Sequence, residues 1–250
     1  MSTIADTAPV PMLTGPRHEE VLAALHQILQ PRTYLEIGIE QGQTLRAAQC
    51  PSIAIDPAFS VDQTIIGEKS ECLLYRMSSD RFFDRHDPAV LLGDRIDLAF
   101  LDGLHLYEFL LRDFINVERC CRRNSVILLH DCVPTDLYLA RRERQDESLR
   151  PLTRIPGGWC GDVWKTILIL RAYRPDLRIE TFDSALTGLV LVTNLDLDSR
   201  VLADSYVEAV ESLAEISLQD YGLRRYIEEL NLRDSRVLFD PVQLARYVWL

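Results

Sequence analysis

Short apolar runs alternate with longer stretches of helical periodicity through the first half of the chain. Each run is apolar at successive positions, as in strands that are buried on both faces of a sheet. Between the runs, apolar residues recur every three or four positions, which is typical of helices that pack one face on a sheet. The runs lie at 34–38, 52–56, 72–75, 96–102 and 125–131. This alternation predicts an α/β fold with a doubly wound, mostly parallel sheet.

The rest of the pattern predicts the edge of that sheet and the helices around it. An amphipathic helix begins near residue 19, and the clearest helical stripe covers 106–121. Two further strands, 177–182 and 188–192, are close enough in sequence to pair as an antiparallel edge. Helical periods return at 198–230. We therefore expect a seven-stranded sheet with an antiparallel last strand, followed by C-terminal helices.

Breaks in the pattern predict one main domain with additions at both ends. Residues 1–16 contain prolines and small polar residues, so we expect a flexible N-terminal arm. The main domain then covers 17–197, with a lid inserted at about 133–161, where the rhythm of strands and helices is lost. Residues 198–250 form a helical extension. Its apolar and aromatic residues predict packing on the domain or on a second subunit of a homo-oligomer.

Composition restricts the partners more than it defines the activity. The chain has 38 acidic residues against 27 basic ones, and this net charge of −11 repels nucleic acid and anionic lipid. The six cysteines include no Cys-x-x-Cys pair, which argues against a zinc knuckle and favours reduced thiols. The apolar runs are far shorter than a bilayer span, and no targeting segment is visible. We expect a cytoplasmic protein that binds neither nucleic acid nor membrane.

The first candidate chemistry follows the first two strands. In an open α/β sheet, ligands bind beyond the carboxyl ends of the strands. Gly38 lets the backbone approach a ligand there and Gly42 opens the next helix, but their spacing differs from the dinucleotide-binding glycine motif. Asp56 ends the second strand, where a carboxylate accepts both hydroxyls of a ribose. An adenosine-type ligand fits this arrangement, and so does an ordinary turn followed by a solvated carboxylate.

Polar residues also crowd the ends of the fourth and fifth predicted strands. Unpaired charges at the end of a buried strand cost several kcal/mol, and a bound cation relieves that cost. Asp102 and Asp131, with His130, offer oxygen ligands and one imidazole, which suit Mg²⁺ or Mn²⁺. His105 has the side chain that best exchanges protons near neutral pH, so it suits a general base. The alternative is that both histidines are satisfied by the backbone and serve packing.

Four segments of the chain carry a family resemblance. They are Glu36-Ile-Gly-Ile-Glu-Gln-Gly42, Asp56, Phe100-Leu-Asp-Gly-Leu-His-Leu-Tyr107 and Val126-Ile-Leu-Leu-His-Asp131. Together they resemble a class I S-adenosylmethionine-dependent methyltransferase. Within that superfamily the chain is similar to the group of macrolide-sugar O-methyltransferases and cephalosporin hydroxylase-like proteins. The resemblance covers roughly residues 20–193 and implies a Rossmann-like sheet whose sixth and seventh strands are antiparallel.

The resemblance implies positions for the cofactor, the metal and the base. The residues expected to bind S-adenosylmethionine are Glu36, Gly38 and Gly42 at its methionine end, Asp56 at its ribose, Ser79 and Asp80 at its adenine, and Asp102. The metal ligands implied are Asp102 and Asp131 with His130, where relatives often carry an oxygen ligand. His105 occupies the position of the proposed base, which is a lysine in catechol O-methyltransferases.

Three functions are compatible with these residues. The first is an O-methyltransferase that acts on a hydroxyl of a small molecule or sugar, with Mg²⁺ or Mn²⁺ assisting. The second is a protein of the same fold that binds the cofactor or a small ligand without methyl transfer. A nicotinamide oxidoreductase is disfavoured by the glycine spacing. The Asp102, His105 and Asp131 set favours the enzyme, because a degenerate site has little reason to keep all three.

Overall fold

The strands lie where the apolar runs predict them. The computed structural model describes residues 9–249. The strands of that part are β1 (Gly15–Arg17), β2 (Tyr34–Ile37), β3 (Ser52–Ile55), β4 (Cys72–Tyr75), β5 (Ile96–Leu101), β6 (Cys121–His130), β7 (Arg178–Phe182), β8 (Ser184–Ala185) and β9 (Leu189–Thr193). All five runs of the first half and both edge strands are present, so the predicted sheet is confirmed.

The helices occupy the intervals between the strands and most of the C-terminal extension. They are α1 (His18–Leu29), α2 (Ser79–Phe83), α3 (Pro88–Leu92), α4 (Tyr107–Glu118), α5 (Trp164–Tyr173), α6 (Val201–Asp204), α7 (Tyr206–Leu213), α8 (Leu218–Tyr221), α9 (Leu223–Leu230) and α10 (Pro241–Leu244). Gly42 does not open a full helix as expected. Only a short 3₁₀ turn, Leu45–Ala47, fits before Pro51 leads into β3. Within residues 9–249, every helix is too short or too polar to cross a lipid bilayer.

Seven strands form one sheet in the order β4-β3-β2-β5-β6-β9-β7. The first five pair in parallel, and β9 runs antiparallel to both β6 and β7. The strand order reverses between β2 and β5, since the chain builds outward from β2 to β4 and then restarts at β5. A ligand crevice is expected at that switch point, beyond the carboxyl ends of these two strands.

Side chains from each strand enter two apolar layers, one on either face of the sheet. In β2, Leu35 and Ile37 join the layer that α4 and α5 cover, whereas Tyr34 joins the layer that α1 covers. This alternation is the two-residue period of a strand. Burying each such side chain contributes roughly 1.5–3 kcal/mol. Glu36 shares the face of Tyr34, so a carboxyl group lies inside an otherwise apolar layer.

The N-terminal segment is more ordered than the expected flexible arm. Residues 1–8 of that arm lie outside the described residues. From residue 9 on, the segment packs on the domain: the Val10 side chain is buried, and its N–H donates to the carbonyl of Thr135 at 2.9 Å. β1 pairs in parallel with β8, with Gly15 opposite Ser184. The apolar side chain and the backbone pairing explain why this part of the arm is held in place.

The segment expected as a lid begins inside the protein. Residues 132–140 are all buried, and the backbone N–H of Cys160 returns to donate to the carbonyl of Leu139 at 2.8 Å. Exposed residues are concentrated at 142–148. The C-terminal extension packs against this buried part, because the Tyr226 hydroxyl donates to the carbonyls of Cys132 and Trp164 at 2.7 and 3.2 Å. These contacts lie on the domain itself.

A buried ion pair joins the ends of α4 and α5. The guanidinium of Arg174, 2% exposed, donates to both carboxylate oxygens of Glu118 at 2.7 and 3.0 Å. Asp176 accepts from the same guanidinium, with 2.9 Å between Nε and Oδ1. The backbone N–H of Asp196 donates to Glu118 at 3.1 Å. Charges are tolerated at this depth only because each one meets several partners.

Candidate active site

A cavity of about 800 Å³ opens at the switch point between β2 and β5. It is large enough for a cofactor together with a small acceptor, since drug-sized ligands occupy roughly 300–1,000 Å³. Several residues that the sequence singles out line it, namely Gly38, Asp56, Ser79, Asp80, Asp102, His105, His130 and Asp131. The structure therefore brings most of the predicted site residues around one space.

Gly38 lets β2 and β5 approach closely at the floor of this cavity. Its φ of +86° is a left-handed conformation that favours glycine. A Cβ atom at this position would lie 1.9 Å from the carbonyl oxygen of Asp102. The position therefore requires glycine both for its backbone angle and for the neighbouring chain.

Two residues expected at the methionine end of the cofactor lie behind the cavity wall. Glu36 is fully buried, where it accepts hydrogen bonds from the Tyr34 hydroxyl, at 2.7 Å, and from Thr44 Oγ1. Burial raises the pKa of Glu36 to about 7, although both of these hydrogen bonds oppose the shift. Gly42 faces the side chain of Ile65 instead of the cavity. Thr44 does line the cavity, so Glu36 acts on that wall by holding Thr44 in place.

Asp56 presents its carboxylate at the end of β3. Its oxygens accept from the backbone N–H groups of Glu40, at 3.0 Å, and Ala58, at 2.6 Å. Each carboxylate oxygen has two lone pairs, so both remain able to accept from a ligand. The local loop thus fixes the direction of this side chain before any ligand binds.

At the far end of the cavity, three carboxyl and hydroxyl groups lie close together. Asp80 forms a bidentate pair with Arg112 at 2.8 and 2.9 Å. Asp113 is 2% exposed, and its Oδ1 has no hydrogen-bond partner. Burial raises the pKa of Asp113 to about 7, which a hydrogen bond from Ser79 opposes. Asp113, downstream of Tyr107, also belongs to the family resemblance but has no expected role there, and the structure places it in the cavity lining beside Ser79.

Asparagine at position 113 should make the ligand-free protein more stable, increasingly so at higher pH. The pKa of Asp113 is about 7 in the folded protein, and that of an unfolded aspartate is about 3.9. The unfolded state therefore releases its proton first, and wild-type stability falls as pH rises between these two values. The advantage of Asp113→Asn should grow by about 2 kcal/mol from pH 5 to pH 8, measured by urea unfolding.

Two charged neighbours act on the pKa of Asp113 in opposite directions. Asp80 reinforces the raised pKa of Asp113, and Arg112 opposes it. Asp204→Asn, at an exposed carboxylate on α6, is the matched control and should show no such trend. If the free energies of unfolding of wild type and Asp113→Asn instead change with pH in parallel, Asp113 is ionised in the folded protein throughout this range.

Four predicted residues form a histidine–aspartate cluster where β5 and β6 end. His130 Nδ1 lies 3.1 Å from Asp102 Oδ1 and 3.5 Å from Asp131 Oδ1. His105 Nδ1 lies 3.1 Å from Asp131 Oδ2, and its Nε2 lies 3.5 Å from Asp102 Oδ1. Asp131 adopts a φ of +57°, which turns the chain at the strand end. The carboxyl ends of neighbouring parallel strands thus bring the cluster together as the sequence predicts.

The charges in this cluster support one another. Burial lowers the pKa of His105, but its hydrogen bond to Asp102 and the charge of Asp131 outweigh burial and raise it to about 9. Burial likewise opposes the charged form of His130, yet the two carboxylates raise its pKa to about 9. Burial also favours the neutral form of Asp102, but His130 and His105 bring the pKa of this carboxyl below its usual range. Without other cations, both imidazoles are the counter-ions of the carboxylates.

A third histidine, which the sequence analysis missed, joins the cluster from α1. The rings of His18 and His130 have centroids 4.0 Å apart. Burial, followed by the charge of His130, lowers the pKa of His18 to about 4. His18 begins α1, so its position in the sequence resembles that of an ordinary helix-start residue. No spacing motif connects it to Asp102 or His130, and only the folded chain reveals the contact.

Two groups of ligand atoms in the described chain are compact enough for a metal ion. One is His18, Asp102 and His130, and the other is Asp102, His105 and Asp131; within each group the atoms lie within 4.8 Å of one another. The predicted ligand set of Asp102, His130 and Asp131 is therefore divided between two groups that share Asp102. The chemistry of both groups fits a divalent cation. Asp102 Oδ1 and His130 Nδ1 are also buried without a hydrogen-bond partner.

Comparison with protein families adds a finding that decides the fold. Residues 58–132, from before β4 to just beyond β6, match a family model described as a methyltransferase domain. The sheet order, with β9 inserted antiparallel between β6 and β7, agrees with that match. The sheet is therefore the Rossmann-like one that the sequence predicts, and residues 58–132 match a methyltransferase domain. The expectation of a methyltransferase is confirmed to that extent, while the narrower macrolide-sugar group stays an expectation.

Solved structures align only weakly with this chain. Cofactor-bound Rv0187 from MTB is 16% identical, with a TM-score of 0.49, over 76% of this chain and 84% of that chain. An O-methyltransferase from Bacillus cereus in complex with SAH is 14% identical, with a TM-score of 0.46, over 72% of this chain and 81% of that chain. Among curated proteins, none matches the chain significantly. The fold assignment therefore rests on the strand order and the family match.

Trp159 forms part of the cavity at the switch point, beside His105. Their rings stack with centroids 5.2 Å apart, and His105 Nδ1 lies 2.6 Å from the carbonyl oxygen of Trp159. A carbonyl only accepts, so Nδ1 carries the proton and Nε2 is the nitrogen that is free in a neutral ring. The indole N–H donates to the carbonyl of Arg141 at 2.8 Å. The end of the lid segment thus fixes the orientation of His105.

Lys165 is neither a surface lysine nor part of the cavity at the switch point. Its side chain is buried, 3.2 Å from the carboxylate of Asp162 and 4.7 Å from the centre of the Tyr107 ring. It borders a second cavity of about 340 Å³ beside the C-terminal helices. The charge of Lys165 is therefore paired at the start of its own helix, and its contact with α4 is the face of the Tyr107 ring.

Proposed function

We propose that this protein is an S-adenosylmethionine-dependent O-methyltransferase that acts on a hydroxyl of a small molecule or sugar, assisted by a divalent metal. The single observation that supports this best is the shared cavity. Asp56 lies at one side of it, and Asp102, His105 and Asp131 lie together at the other. A methyl donor and a hydroxyl acceptor need such an arrangement, because most of the rate gain comes from aligning two reactants.

The cofactor would lie along the carboxyl ends of β2, β3 and β4. We assign the ribose to Asp56, whose direction is fixed by the Glu40 and Ala58 amides. Gly38 leaves the space for the methionine end, and the Ser79 hydroxyl with the Asp113 carboxyl faces the adenine end. The bidentate pair with Arg112 makes Asp80 a support for this end of the cavity.

The acceptor would lie between the cluster and Trp159. When bound, a divalent cation lowers the pKa of a hydroxyl on the acceptor. Asp102 and His130 fit such an ion because their buried ligand atoms face each other at 3.1 Å without an aligned hydrogen bond. His105 would take the proton through Nε2, since Trp159 holds the proton of Nδ1. The carboxylates of Asp102 and Asp131 raise the pKa of His105 and keep its imidazole protonated. The positive charge of an ion beside Asp102 would lower that pKa again.

Alanine at position 56 should weaken S-adenosylmethionine binding by about 10- to 100-fold, because a charged acceptor of two ribose hydroxyls is lost. Isothermal titration of the full chain with S-adenosylmethionine and S-adenosylhomocysteine measures this directly. Asp204→Ala, which removes an exposed carboxylate on α6, should bind both as wild type does. Unchanged affinity in Asp56→Ala would remove the ribose assignment. Absence of binding by wild type, with and without Mg²⁺, would overturn the proposed function.

A further inference from the structure

The two metal-ligand groups at the cluster are chemically different. We propose that a transition-metal ion rather than Mg²⁺ binds His18, Asp102 and His130, and that Asp131 instead holds His105 in place. This inference deepens the proposed function by assigning its metal, and it can be tested without measuring methyl transfer. It rests on three observations. They are the geometry of the three ligands, the poorly aligned contact between Asp102 and His130, and the contacts that Asp131 already makes.

The three side chains converge from separate elements. His18 begins α1, Asp102 directly follows β5, and His130 ends β6. One ligand atom from each lies within 4.8 Å of the other two. Ligands bound to one ion at about 2.0–2.2 Å lie roughly 3–4 Å apart, so only a small adjustment of the rotamers is needed. The His18 side chain is 16% exposed and that of His130 is 10% exposed, so little water reaches these imidazoles.

Two of the three ligands form a buried pair that is not aligned for a hydrogen bond. Asp102 Oδ1 and His130 Nδ1 lie 3.1 Å apart as an ion pair, but neither atom has a hydrogen bond of good geometry. A buried polar atom without an aligned hydrogen bond is costly, and such atoms are rare in folded proteins. A cation bound by both residues would remove that cost.

Asp131, in contrast, has a hydrogen bond from a residue outside the cluster. Its Oδ1 accepts a hydrogen bond from the Thr187 hydroxyl, and its Oδ2 lies 3.1 Å from His105 Nδ1. The other contact of His105 Nδ1 is the carbonyl of Trp159. Asp131 and Trp159 together orient the imidazole, so Asp131 serves as a positioning residue. The cluster then divides into a metal triad and a histidine–aspartate pair that are linked through Asp102.

The donor atoms decide which metal fits. Mg²⁺ prefers oxygen ligands and retains several waters. Two imidazoles with one carboxylate suit Fe²⁺, Mn²⁺, Co²⁺ or Zn²⁺, and affinities for nitrogen ligands rise from Mn²⁺ towards the later metals. The His18 triad should therefore prefer Co²⁺ and Mn²⁺ over Mg²⁺. The ligand set expected from the sequence has two carboxylates and one histidine. It instead predicts a site whose affinity for Mg²⁺ is closer to its affinity for the transition metals.

The test is metal binding by the full chain in the absence of S-adenosylmethionine, with CoCl₂, MnCl₂ and MgCl₂ as separate probes. Calorimetry should show one Co²⁺ site at least about 100-fold tighter than any Mg²⁺ site. His18→Ala should weaken Co²⁺ binding by at least about tenfold, and Asp131→Asn by less than threefold. His86→Ala, outside the cavity, is the matched control and should bind Co²⁺ as wild type does.

Pulsed electron paramagnetic resonance of the Mn²⁺-loaded wild type removes any dependence on the folding of variants. Couplings from two directly bound imidazole nitrogens are expected. Equal affinity for Mg²⁺ and Co²⁺, no nitrogen coupling, or no metal binding would each overturn the inference. So would a loss in Asp131→Asn as large as the loss in Asp102→Asn, because the ion would then use Asp131. Cofactor titration is a separate measurement, so failure of the metal assignment is distinguishable from failure of the proposed function.

Discussion

Replacing His105 with alanine should lower the turnover of methyl transfer by about two to four orders of magnitude, which is the usual contribution of a general base. The affinity for S-adenosylmethionine should change little, because His105 lies at the acceptor side of the cavity, beside Trp159 and Asp131. Turnover is measured as S-adenosylhomocysteine release, with the best acceptor from a panel of catechols and glycosides at saturation. Cofactor affinity is measured by calorimetry.

The control for this experiment is a histidine outside the cavity. His86 packs against Tyr75 and Phe82, and His86→Ala should retain wild-type turnover. A His105→Ala variant that turns over as fast as wild type at saturating acceptor would show that another group removes the proton. A variant that instead loses cofactor binding would place His105 at the cofactor, contrary to the assignment made here.

Replacing Arg174 with methionine should destabilise the protein by about 3–5 kcal/mol, the usual cost of removing one partner from a buried ion pair. The variant leaves the carboxylate of Glu118 buried, with the backbone N–H of Asp196 as its remaining donor. Methionine fills much of the same volume, so the loss reflects charge more than a cavity. Urea unfolding of wild type and variant measures the difference in the free energy of unfolding.

The double variant separates the unpaired charge from the rest of the effect. Glu118→Gln in the Arg174→Met background removes the buried carboxylate, so part of the lost stability should return. Glu118→Gln alone should cost less than Arg174→Met, because Asp176 still pairs with the guanidinium. The opposite result would be additive losses, in which Glu118→Gln lowers the free energy of unfolding equally in wild type and in Arg174→Met. The two side chains would then act independently, and the ion pair would contribute little.

The sequence predicts the sheet well because each strand is recognisable by itself. Runs such as Ile96–Leu101 are apolar at every position except Asp97, and a strand buried on both faces needs no information from distant residues to be recognised. The same logic places Asp102 and Asp131 together, since the carboxyl ends of parallel strands share one edge. Both the sheet order and this cluster agree with the expectation.

The features that sequence reasoning missed depend on contacts between distant segments. His18 meets His130 only because β1 pairs with β8, and neither of these short strands carries a recognisable pattern. Glu36 begins the glycine-containing segment of the resemblance, yet strand alternation turns it away from the cavity towards Tyr34 and Thr44. Asp113 lies on a helix whose apolar stripe is clear, but its unpartnered oxygen becomes visible only once the helix is packed.

The pairing of β1 with β8 also has a consequence for the order in which the protein is built. His18 is among the first described residues to leave the ribosome, whereas Ser184, opposite Gly15, is synthesised after the six preceding strands of the chain that pair in the main sheet. The N-terminal segment must therefore wait, unpaired, until most of the chain is available. Folding intermediates that already hold Asp102 and His130 would gain His18 last. Completion of the candidate active site is thereby tied to the synthesis of β8.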